Sequence, residues 1–232
     1  MEIDHFRQRI LFEDNHLIII NKLAGEIVQG DITGDLSLLE MVKAYLKEAY
    51  NKPGNVFAGL VHRIDRPVSG AVIFTRTGKA LSRMSALLKE RRIEKTYWAV
   101  VANLPEPASA SLEHYLVRNE KLNKTFVASR DHPEAKPALL DYTLIASSQR
   151  YHLLSIRLHT GRHHQIRAQL SAIGCPINGD LKYGAKRSNP DGSISLHARL
   201  LEFNHPVTGN RLRIEAAVPD ELLPWRLFSE AR

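Results

Sequence analysis

Three short segments concentrate polar groups where the apolar pattern of the chain breaks, and each could do chemistry. The first is His62-Arg63-Ile64-Asp65, with Arg66 next in line, inside GLVHRIDRPVSGAVIFT at 59–75. A carboxylate beside an arginine is a common surface ion pair worth little in stability. The alternative is a reactive group presented outward, which Ser69-Gly70 would allow by letting the backbone turn sharply where the loop closes. The second segment is Glu94-Lys95-Thr96-Tyr97-Trp98. A strand tyrosine packs in a core or across strands, but at the mouth of a basic groove Tyr97 could stack on a nucleobase, a contact worth ~1–3 kcal/mol. Periodicity does not separate these two readings.

The third segment runs from Leu158 through His159, Thr160, Gly161, Arg162, His163, His164, Gln165 and Ile166 to Arg167. A helical reading puts His163 and Arg167 on one face, with Ile166 and Leu170 inward. Three histidines invite a metal, yet no acidic or thiol ligand lies close in sequence and two arginines would repel a cation, so no metal site is expected. Arginine, glutamine and histidine suit phosphates and base edges instead.

The elements that must position these residues follow from pattern. Ile10-Leu11-Phe12 and Leu17 to Ile20, separated by Asp14-Asn15, read as a hairpin. Lys22 to Asp35 reads as a loop. Ser37 to Glu40 has capping-box spacing before a helical stripe of Leu38, Leu39, Val42, Tyr45, Leu46 and Ala49 that should stop at Lys52-Pro53-Gly54. Residues 59–75 read as two strands with a polar loop between them. Thr77 can cap a helix burying Ala80, Leu81, Met84, Leu87 and Leu88 while Lys79, Arg83 and Lys89 face outward. Strands are expected at Thr96–Ala102, Leu139–Ile145, Leu154–Leu158, Leu196–Phe203 and Arg211–Ala217, and a helix at Arg162–Ile173 ending at Gly174. The expectation is a single α+β domain over residues 1–232, with a large, mostly antiparallel sheet and helices against it.

Composition narrows the function classes. With 232 residues, 44% hydrophobic and 25% charged, the chain has the balance of a globular protein. Its apolar runs are far shorter than the ~20 residues of a membrane-spanning helix, and its first ten residues do not read as a signal peptide. One cysteine, Cys175, agrees with a reducing compartment, so a cytoplasmic location with no membrane partner is expected. The net charge of +7 is concentrated: seven basic residues against two acidic between Arg76 and Tyr97, and seven against Asp180 alone between Arg150 and Arg187. Such segments are either solvated faces or the footprint of a polyanionic partner.

These segments resemble the RluA-type RNA pseudouridine synthases. His62 to Gly70 is similar to HRLDxxTSG, Lys95 to Ala99 to KxYxA, and LHTGRHHQIRAQLSAIGCPINGDLKYG at 158–184 to the long TGRxHQIRxHLxxxGxPIxGDxxYG segment. Asn21 to Gly25 resembles NKPxG, and Leu196-His197-Ala198 through His205-Pro206 resembles LHAxxLxFxHP. Likeness spans nearly the whole chain in family order. Departures are Ile64 for Leu, Val68 for Thr, Leu23 for Pro and Gln169 for His. The pattern starts with the catalytic domain, so the small RNA-binding domain that some relatives carry in front is not expected.

The resemblance implies isomerisation of uridine to pseudouridine in structured ribosomal or transfer RNA, with no cofactor and no obligate protein partner. Asp65 would be the nucleophile or base, either attacking the ribose or assisting a glycal intermediate. Arg167 would be its ion-pair partner. Tyr97 would stack on the uracil and is a candidate for removing the C5 proton. The target must be flipped out, with Arg63 as the wedge. His62, Arg63, Arg162, His164, Gln165 and the exterior Lys79, Arg83 and Lys89 would bind RNA. The rivals are a non-catalytic RNA-binding module, which would have no need of Asp65 among basic residues, and a metal-dependent nuclease, which would need clustered carboxylates.

Overall fold

The computed structural model describes residues 3–228. The first two residues of the segment read as lacking a signal peptide, and the last four of the chain, lie outside the described residues. In chain order the elements are α1 (Ile3–Arg7), β1 (Ile10–Glu13), β2 (Leu17–Lys22), α2 (Leu38–Ala49), β3 (Gly59–Leu60), β4 (Ser69–Thr75), α3 (Gly78–Lys89) and β5 (Glu94–Val101). Then come β6 (Ser109–Asn119), β7 (Lys124–Ala128), β8 (Lys136–Ser147), β9 (His152–Leu158), α4 (Gln165–Ala172), β10 (Leu196–Asn204), β11 (Arg211–Glu215) and α5 (Leu223–Arg226). The class is α+β with a large sheet, as the sequence implied. The chain forms two compact units: one holds the residues up to Ile93 with Ala198–Ala217, the other holds Glu94–His197 and the segment from Val218 onward.

In the first unit the strand order is β1-β2-β4-β10-β11, with β3 also on β4. The β1–β2 hairpin turns at Asp14, whose Oδ1 accepts the amides of His16 and Leu17. β2 and β4 are antiparallel, pairing Leu17 with Thr75 and Lys22 with Gly70. Every residue of β4 is buried, which is why it reads as a continuous apolar run and not as an alternation. Both helices start where their caps say: Ser37 accepts the Glu40 amide and Thr77 the Ala80 amide. Leu17, Ile19, Ala71, Ile73, Met84, Leu201, Phe203 and Ile214 make the core.

In the second unit β5-β9-β8-β6-β7 is antiparallel throughout. Its β6–β7 pair was not foreseen. α4 packs on the face carrying Leu116 and Ala138, and the opposite face buries Trp98, Val100 and Leu153 under Trp225 and Phe228. α4 begins at Gln165, three residues later than expected. His163 therefore precedes the helix and does not share a helical face with Arg167. His164, the residue before the helix, has φ +50° and makes no side-chain cap.

Gly70 corrects a second expectation. It does not turn the chain at the end of the loop; it lies within β4 with φ +115°. A β-carbon there would sit 2.5 Å from the Ala198 nitrogen and 2.8 Å from its carbonyl carbon. The glycine lets the strand that follows the Asp65 loop press its backbone against β10. Gly70→Ala should therefore destabilise the fold by at least about 3 kcal/mol, combining overpacking with an unfavourable φ. Urea denaturation checks this; a loss below about 1 kcal/mol would mean that the two strands separate easily.

Candidate functional site

The site residues fall into one group in each unit. In the first unit, residues 61–68 span β3 to β4. The amide of Ile73 donates to His62 Nε2 (3.3 Å), and the Val68 amide closes a tight turn onto the Asp65 carbonyl (3.0 Å). Ile64 and Val68 are buried, Arg63 and Arg66 are exposed, and Asp65 is half-buried. The substitutions at Ile64 and Val68 thus keep apolar anchors under the loop.

The loop rests on a group whose role sequence reasoning missed. Lys22, at the end of β2, is fully buried. Its ammonium donates to the carbonyls of Leu23 (2.8 Å), Glu26 (2.8 Å) and Arg66 (3.1 Å), one acceptor for each of its three protons. The Arg66 carbonyl also accepts the Gly25 amide (2.8 Å), so the residue following Asp65 is held twice. Burial depresses the Lys22 pKa to about 7, opposed first by the Glu26 carboxylate and then by that of Asp65. Arg9 in turn holds Glu26 through two nitrogens, and Arg66 reaches Asp35 at 2.8 Å. The available signal was a lysine closing a strand that begins with four apolar residues, where its charge needs partners. On α3 of the same unit, Lys79, Arg83 and Lys89 are exposed as expected, with Arg83 donating to the Pro206 carbonyl.

In the second unit Arg167 is 5% exposed and lies in α4. Its Nε and Nη2 grip the two oxygens of Asp180 at 2.7 and 2.9 Å, and the guanidinium carbon lies 4.9 Å from the centre of the Tyr183 ring. Removing either partner from such a buried pair costs ~3–5 kcal/mol. Asp180 was visible in the sequence as the lone acid of a strongly basic segment, but was not assigned a part.

The turn before α4 consumes its own polar groups. Buried Gln165 accepts from Thr160 Oγ1 (2.8 Å) and the Arg162 amide (2.9 Å), and donates to the Leu139 carbonyl. Arg162 donates to the Pro137 carbonyl. The Thr125 amide donates to the Tyr183 hydroxyl, which is also hydrogen-bonded to His164 Nδ1 at 2.9 Å. His163 stacks on His164 at 3.7 Å and contacts Thr125 Oγ1 and Asn123 Oδ1. His164 and Gln165 are thereby drawn inward, where they shape the turn. Gln169, the departure from histidine, is fully buried and donates to the carbonyls of Leu112 and Ala138.

Tyr97, on β5, is 7% exposed. Register places it in a row with Ile156 and Tyr142, on the α4 side of the sheet and opposite Trp98. Within this unit Tyr97 and Arg167 thus share one side of the sheet.

Comparison with known proteins settles the class. The RNA pseudouridylate synthase family matches residues 16–172. An uncharacterized RNA pseudouridine synthase of Bacillus subtilis strain 168 is 30% identical over 216 residues, covering 92% of this chain and 70% of the relative. Ribosomal large subunit pseudouridine synthase D of Xanthomonas campestris is 32% identical, covering 96% of this chain and 69% of that protein. The fold is that of human RNA pseudouridylate synthase domain containing 4, at a TM-score of 0.83 and 22% identity over 98% of this chain and 95% of that one. The chain belongs to the RNA pseudouridylate synthase family. It is a pseudouridine synthase, an enzyme that isomerises uridine within RNA.

His164 provides a test of the second group. Burial, followed by the charges of Arg167, His163, Lys182 and Arg118, lowers its pKa from 6.5 to about 2, so the folded protein keeps it neutral while the unfolded chain takes up a proton. Its stabilising effect is complete above pH 6.5 and is lost as pH falls toward about 2. Below pH 6.5 the wild type should lose stability more steeply than His164→Asn, which tolerates the same positive φ, by at most about 1.4 kcal/mol per pH unit because solvent screens part of the effect. Urea denaturation over a pH series reads the difference; parallel curves would mean that the folded protein accepts the proton.

Proposed function

We propose that this pseudouridine synthase acts on large-subunit ribosomal RNA in the cytoplasm, with Asp65 as the reacting carboxylate. The observation that carries the assignment of Asp65 is its place as the one acidic residue of a loop pinned by the buried Lys22. The ribosomal target rests on the names of relatives about 30% identical to this chain, such as the large subunit pseudouridine synthase D of Yersinia pestis.

In this reading the N1–C1′ bond of the target uridine breaks, the uracil turns over, and C5 bonds to C1′. C5 then releases its proton and N1 gains one, so atoms and electrons balance without an oxidant or a second substrate. Asp65 attacks C1′ or removes a ribose proton. Arg167 serves as its counter-ion, since a planar guanidinium with five N–H groups can serve a second carboxylate beside that of Asp180. Tyr97 supports the uracil ring and is the candidate for receiving the C5 proton. Arg63 is the wedge that takes the place of the flipped base. Lys79, Arg83, Lys89 and Arg162 meet phosphates, His62 holds its loop against β4, and His164 and Gln165 act through the shape of the turn before α4.

Two substitutions test these roles. Asp65→Asn should reduce pseudouridine formation below about one percent of wild type with RNA affinity retained, because an amide neither attacks nor accepts a proton. Arg167→Lys should lower the single-turnover rate on saturating RNA far more than it weakens binding, because lysine cannot reproduce the planar fork. Equal losses in rate and binding would make Arg167 a phosphate contact. The target is tested by mapping pseudouridine in ribosomal and transfer RNA from cells with and without the gene. Loss of a site in large-subunit RNA supports the reading, and loss confined to transfer RNA contradicts it.

A further inference from the structure

The β6–β7 hairpin has no part in the reading above, and its two faces differ. One face is tied to the α4 side of the sheet: Leu116 packs with Ala168 and Tyr183, and Thr125 bonds Tyr183 and His163. The other face projects Tyr115, Val117, Lys124, Phe126 and Ala128, because Tyr115 pairs with Ala128, Val117 with Phe126 and Asn119 with Lys124, and directly paired residues share a face. Phe126 is 42% exposed. Pro137, paired with Tyr115 from β8, extends the strip and is also exposed.

A single exposed phenylalanine needs no explanation, but here each aromatic carries a cation. Lys124 Nζ lies 5.3 Å from the centre of the Phe126 ring, and the guanidinium carbon of Arg130 lies 5.8 Å from that of Tyr115. Lys124 also lies 5.1 Å from the Tyr183 ring on the α4 side, and Lys182 beside it donates to the Asn123 carbonyl in the hairpin turn. Lysine thus marks both sides of the β7 edge, and an aromatic strip begins beyond it.

Resting on the RNA-modifying reading, we propose that this outer face is a second RNA subsite, a stacking platform for unpaired nucleotides. The strand crosses the β7 edge with its phosphates on Lys182 and Lys124, and a base lies on Phe126 against Val117 and Tyr115, with Arg130 contacting the next phosphate. Stacking serves any base, since every base has a π-face, so the platform adds affinity and reach without fixing sequence. It requires single strands, because paired bases have no free face to offer.

The probes are a fluorescein-labelled mixed-sequence single-stranded RNA 20-mer and the same strand annealed to its complement. All variants carry Asp65→Asn to prevent turnover. Phe126→Ala should weaken single-strand binding by about tenfold, the order expected for one lost base stack, and leave duplex binding unchanged. Phe126→Trp should restore affinity, and its exposed indole should be quenched by the single strand. Lys124→Gln should flatten the slope of log affinity against log salt by about 0.7. Unchanged single-strand affinity in Phe126→Ala, or an indole at 126 that RNA leaves unquenched, overturns the platform. A partner protein on this strip would give that same negative result with RNA. Pseudouridine formation by the Phe126→Ala protein with Asp65 intact is measured separately: a normal product with unaltered binding defeats the platform alone, and absence of product from the wild type defeats the catalytic reading alone.

Discussion

The loop that carries Asp65 depends on one buried ammonium. Lys22 gives all three of its protons to backbone carbonyls, one of them at the residue after Asp65. A charge with no exposure is costly unless every bond it can make is made. The same saturation fixes the backbone on both sides: the 22–26 turn cannot move without breaking bonds to the 61–68 loop. Burial and the two nearby carboxylates pull on this lysine in opposite directions. When protonated, the lysine that supports the loop is also a favourable neighbour for the Asp65 carboxylate. Gly70 completes the arrangement by admitting the β10 backbone immediately after the loop.

The second unit uses the same device with different atoms. Arg167 enters as part of a rigid pair with Asp180, which lies just before Tyr183, and the Tyr183 hydroxyl links Thr125 to His164. Helix, hairpin and the chain after the helix are thereby joined through buried polar contacts and only a small apolar cluster. A charged group fixed by such contacts is already ordered before any ligand arrives.

Much of this was legible in the sequence because local rules and the fold agreed. Ser37 and Thr77 cap where capping residues should, Asp14 turns the first hairpin, and the apolar stripe of α3 leaves its basic residues outside. Misreadings arose where tertiary contacts decide. β6 alternates weakly between half-buried and exposed residues because one face of its hairpin meets solvent, so too little apolar pattern remained to mark a strand. α4 lacks a capping side chain, and the residues that delay its start are committed to the loop through Gln165. Gly70 looked like a turn glycine because the backbone it accommodates is more than a hundred residues away in sequence. Asp65 and Arg167 stood out by residue type and motif, whereas the parts that Lys22 and Asp180 play in steadying them emerge only through burial and bonding.

The central claim, that this chain isomerises uridine by means of its own side chains, is tested most directly by tritium release. Purified protein is incubated with a large-subunit ribosomal RNA transcript carrying [5-³H]uridine in the presence of excess EDTA. The account predicts release of tritium to water in step with pseudouridine appearing at a defined position, since C5 must lose its hydrogen as it bonds to C1′. Absence of release in EDTA, with release restored by an added divalent metal in a matched RNA fold, would contradict it.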